Sequence, residues 1–452
     1  MKLLVEEKSF YKAFFSLTLI IGLQNIITIG VNLSDNLILG GYSETALSAA
    51  ALANQVQFIA TFLIIGCSQS VIILASRLWG AKEIHSIRKV AGTGMAVSLL
   101  ISCLMWFVAM FYSSGLISAL TTDEVIIQEG AAFLRIISCS YVFFAISNIL
   151  LATLRSMEIV KIGLMVSLCT LVINVTLNYL LVYGYLGLPE LGQNGSAIAT
   201  FISRIIESII VITYMLKAKL TLRLQITDFL KLDMSILKPY VKIAFPILLS
   251  SLSWAGAMAV QTGILGHMGT AAIAANSVAA TIFQFVTVIT YASASASAVI
   301  MGKTVGEGSL EKVKAYSKTL QVLYILIGVG SAIVLFITKD YFLILYSISD
   351  EAKNLAVAFM TILSITVIGT SYQMPALSGI IQSGGDTTFV MYNDFIFMWL
   401  FILPLSLIAA FVFDFSPVII FIILKSDQIL KCFVAIVKVN RFKWIKTIEH
   451  QS

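Results

Sequence analysis

The sequence predicts an all-α integral membrane protein, with twelve transmembrane helices in two six-helix lobes related by pseudo-two-fold symmetry. Three observations lead there. Hydrophobic residues make up 59% of the 452 positions and charged residues only 12%, against roughly a quarter charged in soluble domains. The apolar runs are long and continuous, unlike the short alternating segments of a membrane barrel. The chain also repeats itself: Leu39-Gly40 matches Leu265-Gly266, Ala46-Leu47 matches Ala272-Ile273, Arg77 matches Lys303, Gly80 matches Gly306 and Arg88 matches Lys314, all 226 residues apart. One shared spacing, half the chain, is far harder to reach by chance than any single match.

In order, segments long enough to span, about twenty apolar residues each, fall at 13–40, 45–76, 90–112, 130–154, 160–184, 194–216, 240–266, 271–302, 317–338, 352–380, 388–413 and 416–437. The connections alternate in charge. Lys8 and Lys12 precede the first segment, Arg77, Lys82, Arg88 and Lys89 follow the second, and Arg155 and Lys161 follow the fourth. Lys217, Lys219, Arg223, Lys231, Lys238 and Lys242 fill the central connection, Lys303, Lys312 and Lys314 follow the eighth segment, and Lys438, Arg441 and Lys443 lie in the tail. Lys339 and Lys353 are the exceptions on the opposite side. The positive-inside rule then makes both termini cytoplasmic, and the expected location is the cytoplasmic (inner) membrane, as a multi-pass protein. Each half holds six spans, so the halves run in the same direction, and parallel repeats of this kind suit alternating access. The expected organisation is an N-terminal lobe at 1–216, a cytoplasmic linker at 217–239 and a C-terminal lobe at 240–452 with a short basic tail.

The carboxylate of Asp35 lies in Val31-Asn32-Leu33-Ser34-Asp35-Asn36-Leu37-Ile38, inside a run that otherwise reads as membrane. An ionisable group there costs several kcal/mol unless it is paired or functional. Asn174 and Asn178 are four apart in a later segment and share one helical face, and Asn148 lies in the segment before it. A carboxylate facing carboxamide oxygens is a site for a proton or a hard cation such as Na⁺. The bland alternative leaves Asp35 at the headgroup boundary, facing water. Other embedded polar groups have structural explanations: Arg204 and Glu207, three apart, pair with each other, and Asp394 lies close enough to a segment end to be solvated or to cap it. Gln55, Met258, Gln261, Phe283, Gln284, Tyr372 and, as the alternative to its solvated or capping role, Asp394 could line a substrate cavity, where methionine and aromatic surfaces suit varied amphipathic cations; simple helix packing accounts for the uncharged members.

Several function classes drop out. The net charge of +6 follows the loops, so it is no nucleic-acid signal. Cys67, Cys103, Cys139, Cys169 and Cys432 show no metal-ligand spacing, and His85, His267 and His450 are isolated. No cleavable leader is expected from the charged start. An intramembrane enzyme is disfavoured: there is no His-Glu-x-x-His, and Ser383-Gly384-Gly385-Asp386 is not an aspartyl-protease motif.

The repeat unit from Leu39-Gly40 through Ala46-Leu47 to Arg77-Leu78-Trp79-Gly80-Ala81 resembles the multidrug and toxic compound extrusion (MATE) transporters, as do Gly192-Gln193-Asn194-Gly195-Ser196-Ala197 and Gln382-Ser383-Gly384-Gly385-Asp386-Thr387. The resemblance covers nearly the whole chain. It implies a secondary antiporter exporting amphipathic, often cationic organic compounds in exchange for H⁺ or Na⁺, a monomer without a further cofactor. It also implies that Asp35, Asn148, Asn174 and Asn178, with Thr200 nearby, form the cation site of the N-terminal lobe. Two departures stand out. The first helix lacks the family's proline around Ile20, though Gly22 and Gly30 could supply flexibility, and no acid occupies the stretches Trp254-Ala255 to Gln261 or Tyr372-Gln373, where some members carry carboxylates. The alternative within the same superfamily is a flippase for a lipid-linked oligosaccharide. It would need cations at mid-span, and the sequence offers Arg204, paired, and Arg135 near a segment end.

Overall fold

The computed structural model describes residues 4–217, 233–343 and 348–446, so most of the expected linker, 218–232, lies outside the described residues. The first half comprises α1 (Lys8–Tyr42), α2 (Glu44–Gly80), α3 (Ile84–Phe111), the short α4 (Ser113–Ser118), α5 (Glu124–Ser138), α6 (Ser140–Ser156), α7 (Lys161–Tyr183) and α8 (Gln193–Lys217). The second comprises α9 (Met234–His267), α10 (Thr270–Gly306), α11 (Leu310–Leu343), α12 (Asp350–Met374), α13 (Thr387–Phe395), α14 (Leu403–Phe411), α15 (Pro417–Lys425) and α16 (Asp427–Arg441). No strand occurs among the described residues.

The repeat seen in the sequence recurs in the helix starts. Lys8, Glu44, Ile84, Glu124 and Lys161 open helices, and so do Met234, Thr270, Leu310, Asp350 and Thr387, each 226 residues later. Even the caps correspond: the Asp123 carboxylate accepts from the Val125 and Ile126 amides at the start of α5, and the Ser349 hydroxyl accepts from Ala352 at the start of α12. Such oxygens satisfy amides that the helix itself leaves open.

Among the described residues, ten stretches are long and apolar enough to cross a membrane, and α5 with α6, bent by 41°, makes an eleventh. That pair is the predicted fourth segment. The remaining segment, 416–437, is present as α15 and α16, broken at Ser426, where Lys425, Asp427 and Lys431 interrupt the apolar run. Two further irregularities trace to proline, which cannot donate a backbone hydrogen bond and crowds the preceding turn. Pro375 opens a π-helical turn, Pro375–Ile381, continuing α12. A second π turn, Ile396–Ile402, links α13 to α14 just ahead of Pro404. Pro246, by contrast, lies within the unbroken α9.

Internal contacts divide the chain into two compact units, Leu23–Ala244 and Met1–Gly22 with Phe245–Ser452. In the first, Leu39, Ile64, Ile117, Phe133 and Tyr141 anchor a buried apolar core, and Ser147 and Ser208 share a hydrogen bond of 2.9 Å between α6 and α8. In the second, Phe359 stacks on Phe421 with ring centroids 4.0 Å apart, and Thr290 and Ser371 bond at 2.8 Å between α10 and α12. Apolar burial alone distinguishes helices poorly in lipid, so such polar contacts help to fix which helices meet.

Candidate cation site

Asp35 is carried by α1, and two contacts with α7 bracket it. Toward the start of α1, buried Gln24 lies against Gly163, where an added Cβ would come within 2.2 Å of the Gln24 Nε2. Beyond Asp35, the Tyr183 hydroxyl donates to the Ile38 carbonyl at 3.0 Å. With both ends docked, α1 presents Asp35 to the face of α7 that holds the two asparagines.

Asn178 donates its amide to Asp35 Oδ1. Asn174, one turn earlier, donates to the Thr200 hydroxyl at 3.1 Å. Thr200 is positioned by the close approach of α8 to the end of α7: the Leu191 amide donates to Leu181 O at 3.0 Å, and a Cβ at Gly195 would fall 2.6 Å from that same oxygen. Only glycine admits this contact without a shift.

Asn174 and Asn178 are almost wholly buried, at 1% and 0% exposure. Each uses its amide nitrogen, and each Oδ1 is left buried without a hydrogen-bond partner. An orphaned buried acceptor is costly and marks either strain or an absent ligand. Here two such oxygens lie on one helical face, on the side chains that meet a carboxylate and a hydroxyl. This donor set, all hard oxygen, suits a small cation or a proton.

The structure does not bring every predicted residue into that set. The Asn148 amide donates to Phe144 O of its own helix at 3.0 Å. Arg204 is a neighbour the sequence reading did not assign to the site. Its guanidinium pairs with Glu207 at 2.6 Å, as the spacing predicts, lies over the Phe144 ring, and acts electrostatically on Asp35.

The residues considered for a substrate wall separate by environment. Gln55 and Gln284 are exposed, Met258 is half-buried, and Phe283 packs against the core of its unit. Tyr372 is buried and donates to Gln321 Oε1 at 2.6 Å, so it is a packing residue. Gln261 is buried and bonds Met398 and Lys425. Asp394 is part-exposed, its side chain at 31%, and pairs with Lys431 at 3.1 Å, while Lys431 also meets Asp427 at 3.5 Å. The sequence hint was the run of charges in the last apolar segment, whose partners only the fold reveals.

Comparison with known proteins agrees with this architecture. The MatE family profile matches residues 21–180 and 246–408, that is, both halves of the repeat. The chain is 24% identical over 436 residues to the uncharacterized transporter YisQ of Bacillus subtilis, covering 93% of this chain and 92% of that one. It is 22% identical over 432 residues to a probable multidrug resistance protein NorM of Listeria monocytogenes, covering 95% and 94%. A crystal structure of MATE in complex with MaL6 superposes with a TM-score of 0.87 at 17% identity, over 95% of each chain. With its two matched halves, its membrane-spanning helices and this fold, the chain belongs to the MatE family and is a multi-pass membrane transporter.

Proposed function

We propose that the protein is a secondary active antiporter of the cytoplasmic membrane. It exports amphipathic, often cationic organic compounds by alternating access, in exchange for H⁺ or Na⁺ taken up at Asp35 with Asn174 and Asn178. The observation that carries this reading is the pair of buried, partnerless Oδ1 atoms of Asn174 and Asn178 beside the Asp35 carboxylate. A cation would satisfy those oxygens, while a proton would neutralise the carboxylate they surround. Either event changes what α1 prefers to pack against, and a ligand shifts a two-state equilibrium only through such a difference. The multidrug resistance relatives support drug export as the process served. The lipid-linked oligosaccharide flippase is supported less, because it calls for several free cations within the spans. Arg204 pairs with Glu207, Lys431 pairs with two carboxylates, and Arg135 Nε donates to Ser113; Lys425, which bonds Gln261 without an ion pair among the described residues, is one cation where several are needed.

The test is transport in proteoliposomes, with a fluorescent organic cation and imposed H⁺ and Na⁺ gradients applied separately to wild type and Asp35→Asn. Gradient-driven uptake by wild type names the coupling ion, and its loss in a folded variant assigns coupling to Asp35. Full gradient-driven transport by Asp35→Asn would overturn the site. Wild type moving no cation under either gradient would favour the flippase.

A further inference from the structure

The repeat gives the Asp35 site a counterpart in the other unit, and its charge is reversed. Gln261 stands 226 residues after Asp35, while Leu400 and Pro404 stand 226 after Asn174 and Asn178. Lys425 stands 225 after Thr200. Where the first unit sets a carboxylate against a carboxamide, the second sets an ammonium against one. Gln261, 4% exposed, accepts from Lys425 Nζ at 3.3 Å and is itself oriented through Nε2 toward Met398 Sδ at 3.4 Å. Met398 lies in the π turn Ile396–Ile402, and local widening of this kind recurs at functional sites.

Among the described residues Lys425 makes no ion pair, and the carboxylate that acts on it electrostatically, Asp427, is engaged elsewhere. The other neighbour of Lys425 is the Phe421 ring, 5.4 Å from Nζ. Asp427, two residues on, is held by Lys431 and by Gln428. An ammonium has three donors, and the one hydrogen bond found for it among the described residues goes to Gln261. Lys425 closes the nine-residue α15, ~12 Å from Pro417 at about 1.5 Å per residue, well inside a hydrocarbon core about 30 Å thick. A cation kept there without an acid partner is costly and marks a functional site by default.

We propose that Lys425, positioned by Gln261, is an anion-accepting subsite: it receives the carboxylate or sulfonate of an amphipathic substrate, and so extends the substrates of this transporter to zwitterions and organic anions. This rests on the transporter reading and not on coupling at Asp35. A lipid headgroup could offer the same chemistry, but the depth of Lys425 favours a solute that enters the spans.

The test uses the full-length protein in nanodiscs of zwitterionic lipid, with two probes that differ at one group: tetramethylrhodamine, bearing a free carboxylate, and its methyl ester. Fluorescence anisotropy should show wild type preferring the carboxylate dye, by about tenfold for a charge-assisted hydrogen bond. Lys425→Met should lose the preference while still binding the ester, and Lys425→Arg should keep most of it. Asp35→Asn, measured alongside, should keep the preference even where coupled transport is lost, which separates failure of this proposal from failure of the cation site. Equal binding of the two dyes by wild type, an unchanged preference in Lys425→Met, or no binding of either dye would overturn it. Adding phosphatidylglycerol should leave the preference in place; its disappearance would make a headgroup the occupant and overturn the solute assignment.

Discussion

The two units treat an embedded carboxylate in opposite ways. In the first, Asp35 makes no ion pair among the described residues: it accepts from an amide nitrogen, near amide oxygens with open lone pairs, and the charge that acts on it, Arg204, is paired with Glu207. In the second, Asp394 and Asp427 share Lys431, whose side chain is 6% exposed, so each of these acids faces an ammonium. A carboxylate with neutral partners gains from binding a cation or a proton. One already set against an ammonium does not, and breaking the pair leaves a buried charge uncompensated. The proposed exchange site thus has neutral hydrogen-bond partners in one unit, while the acids of the other unit brace an ammonium.

The sharpest way to break this contrast is to remove each acid's partner or charge and compare readouts. Asp35→Asn should abolish gradient-driven transport and leave thermal stability within the ordinary range for a conservative change, about 1 kcal/mol. Lys431→Met should do the reverse in kind: it strands Asp394 and Asp427 and should destabilise by roughly 3–5 kcal/mol, read as a large drop in the thermal unfolding midpoint. Adding Asp427→Asn should recover part of that loss. If Lys431→Met unfolded like wild type but lost coupling, the triad would be an exchange site and the contrast would fail.

A smaller effect tests how Thr200 is held. Gly195→Ala places a methyl group 2.6 Å from the Leu181 carbonyl oxygen, and that backbone cannot swing aside as a side chain would. Displacement of α8 should cost about 1–3 kcal/mol and weaken coupling, because Thr200 would withdraw from Asn174. Thermal unfolding and the proteoliposome assay together read both.

The smallest effect lies outside the spans, where Asp386 is clamped by Lys438 and Lys446, each at 2.7 Å. Burial works to raise the Asp386 pKa, but the two ammonium groups outweigh it and hold the group below the ordinary carboxylate value. The folded value being the lower one, the clamp's contribution is fully present above the ordinary carboxylate range and is lost as pH falls through the folded value. Trp444, fully buried against Gly384 beside this clamp, should report the release as a fluorescence change under strong acid, and Asp386→Asn should show that signal already at neutral pH.

Asp35, Asn174 and Asn178 were legible because each fact needed is local: an acid in an apolar run, and two amides four apart, which any α-helix places on one face. The role expected for Asn148 shows the limit. The family resemblance put it in the site, yet its amide turns back to its own helix, a rotamer choice that no sequence pattern encodes. Asp394 shows another: the partner that neutralises it lies 37 residues away, and no periodicity links the two.

By itself, the sequence determined the membrane class, the approximate course of the helices and the two-fold repeat. These follow from hydropathy, capping and backbone hydrogen bonding within each segment, and a helix in lipid must satisfy its own backbone. Only the tertiary structure decided which polar groups meet. That depends on how each helix is rotated about its axis, and here the π turns near Pro375 and Pro404 and the break at Ser426 reset the rotation mid-segment. Those shifts set Lys431 against two acids and Lys425 against Gln261, and they give the second unit a charge pattern its sequence register alone did not announce.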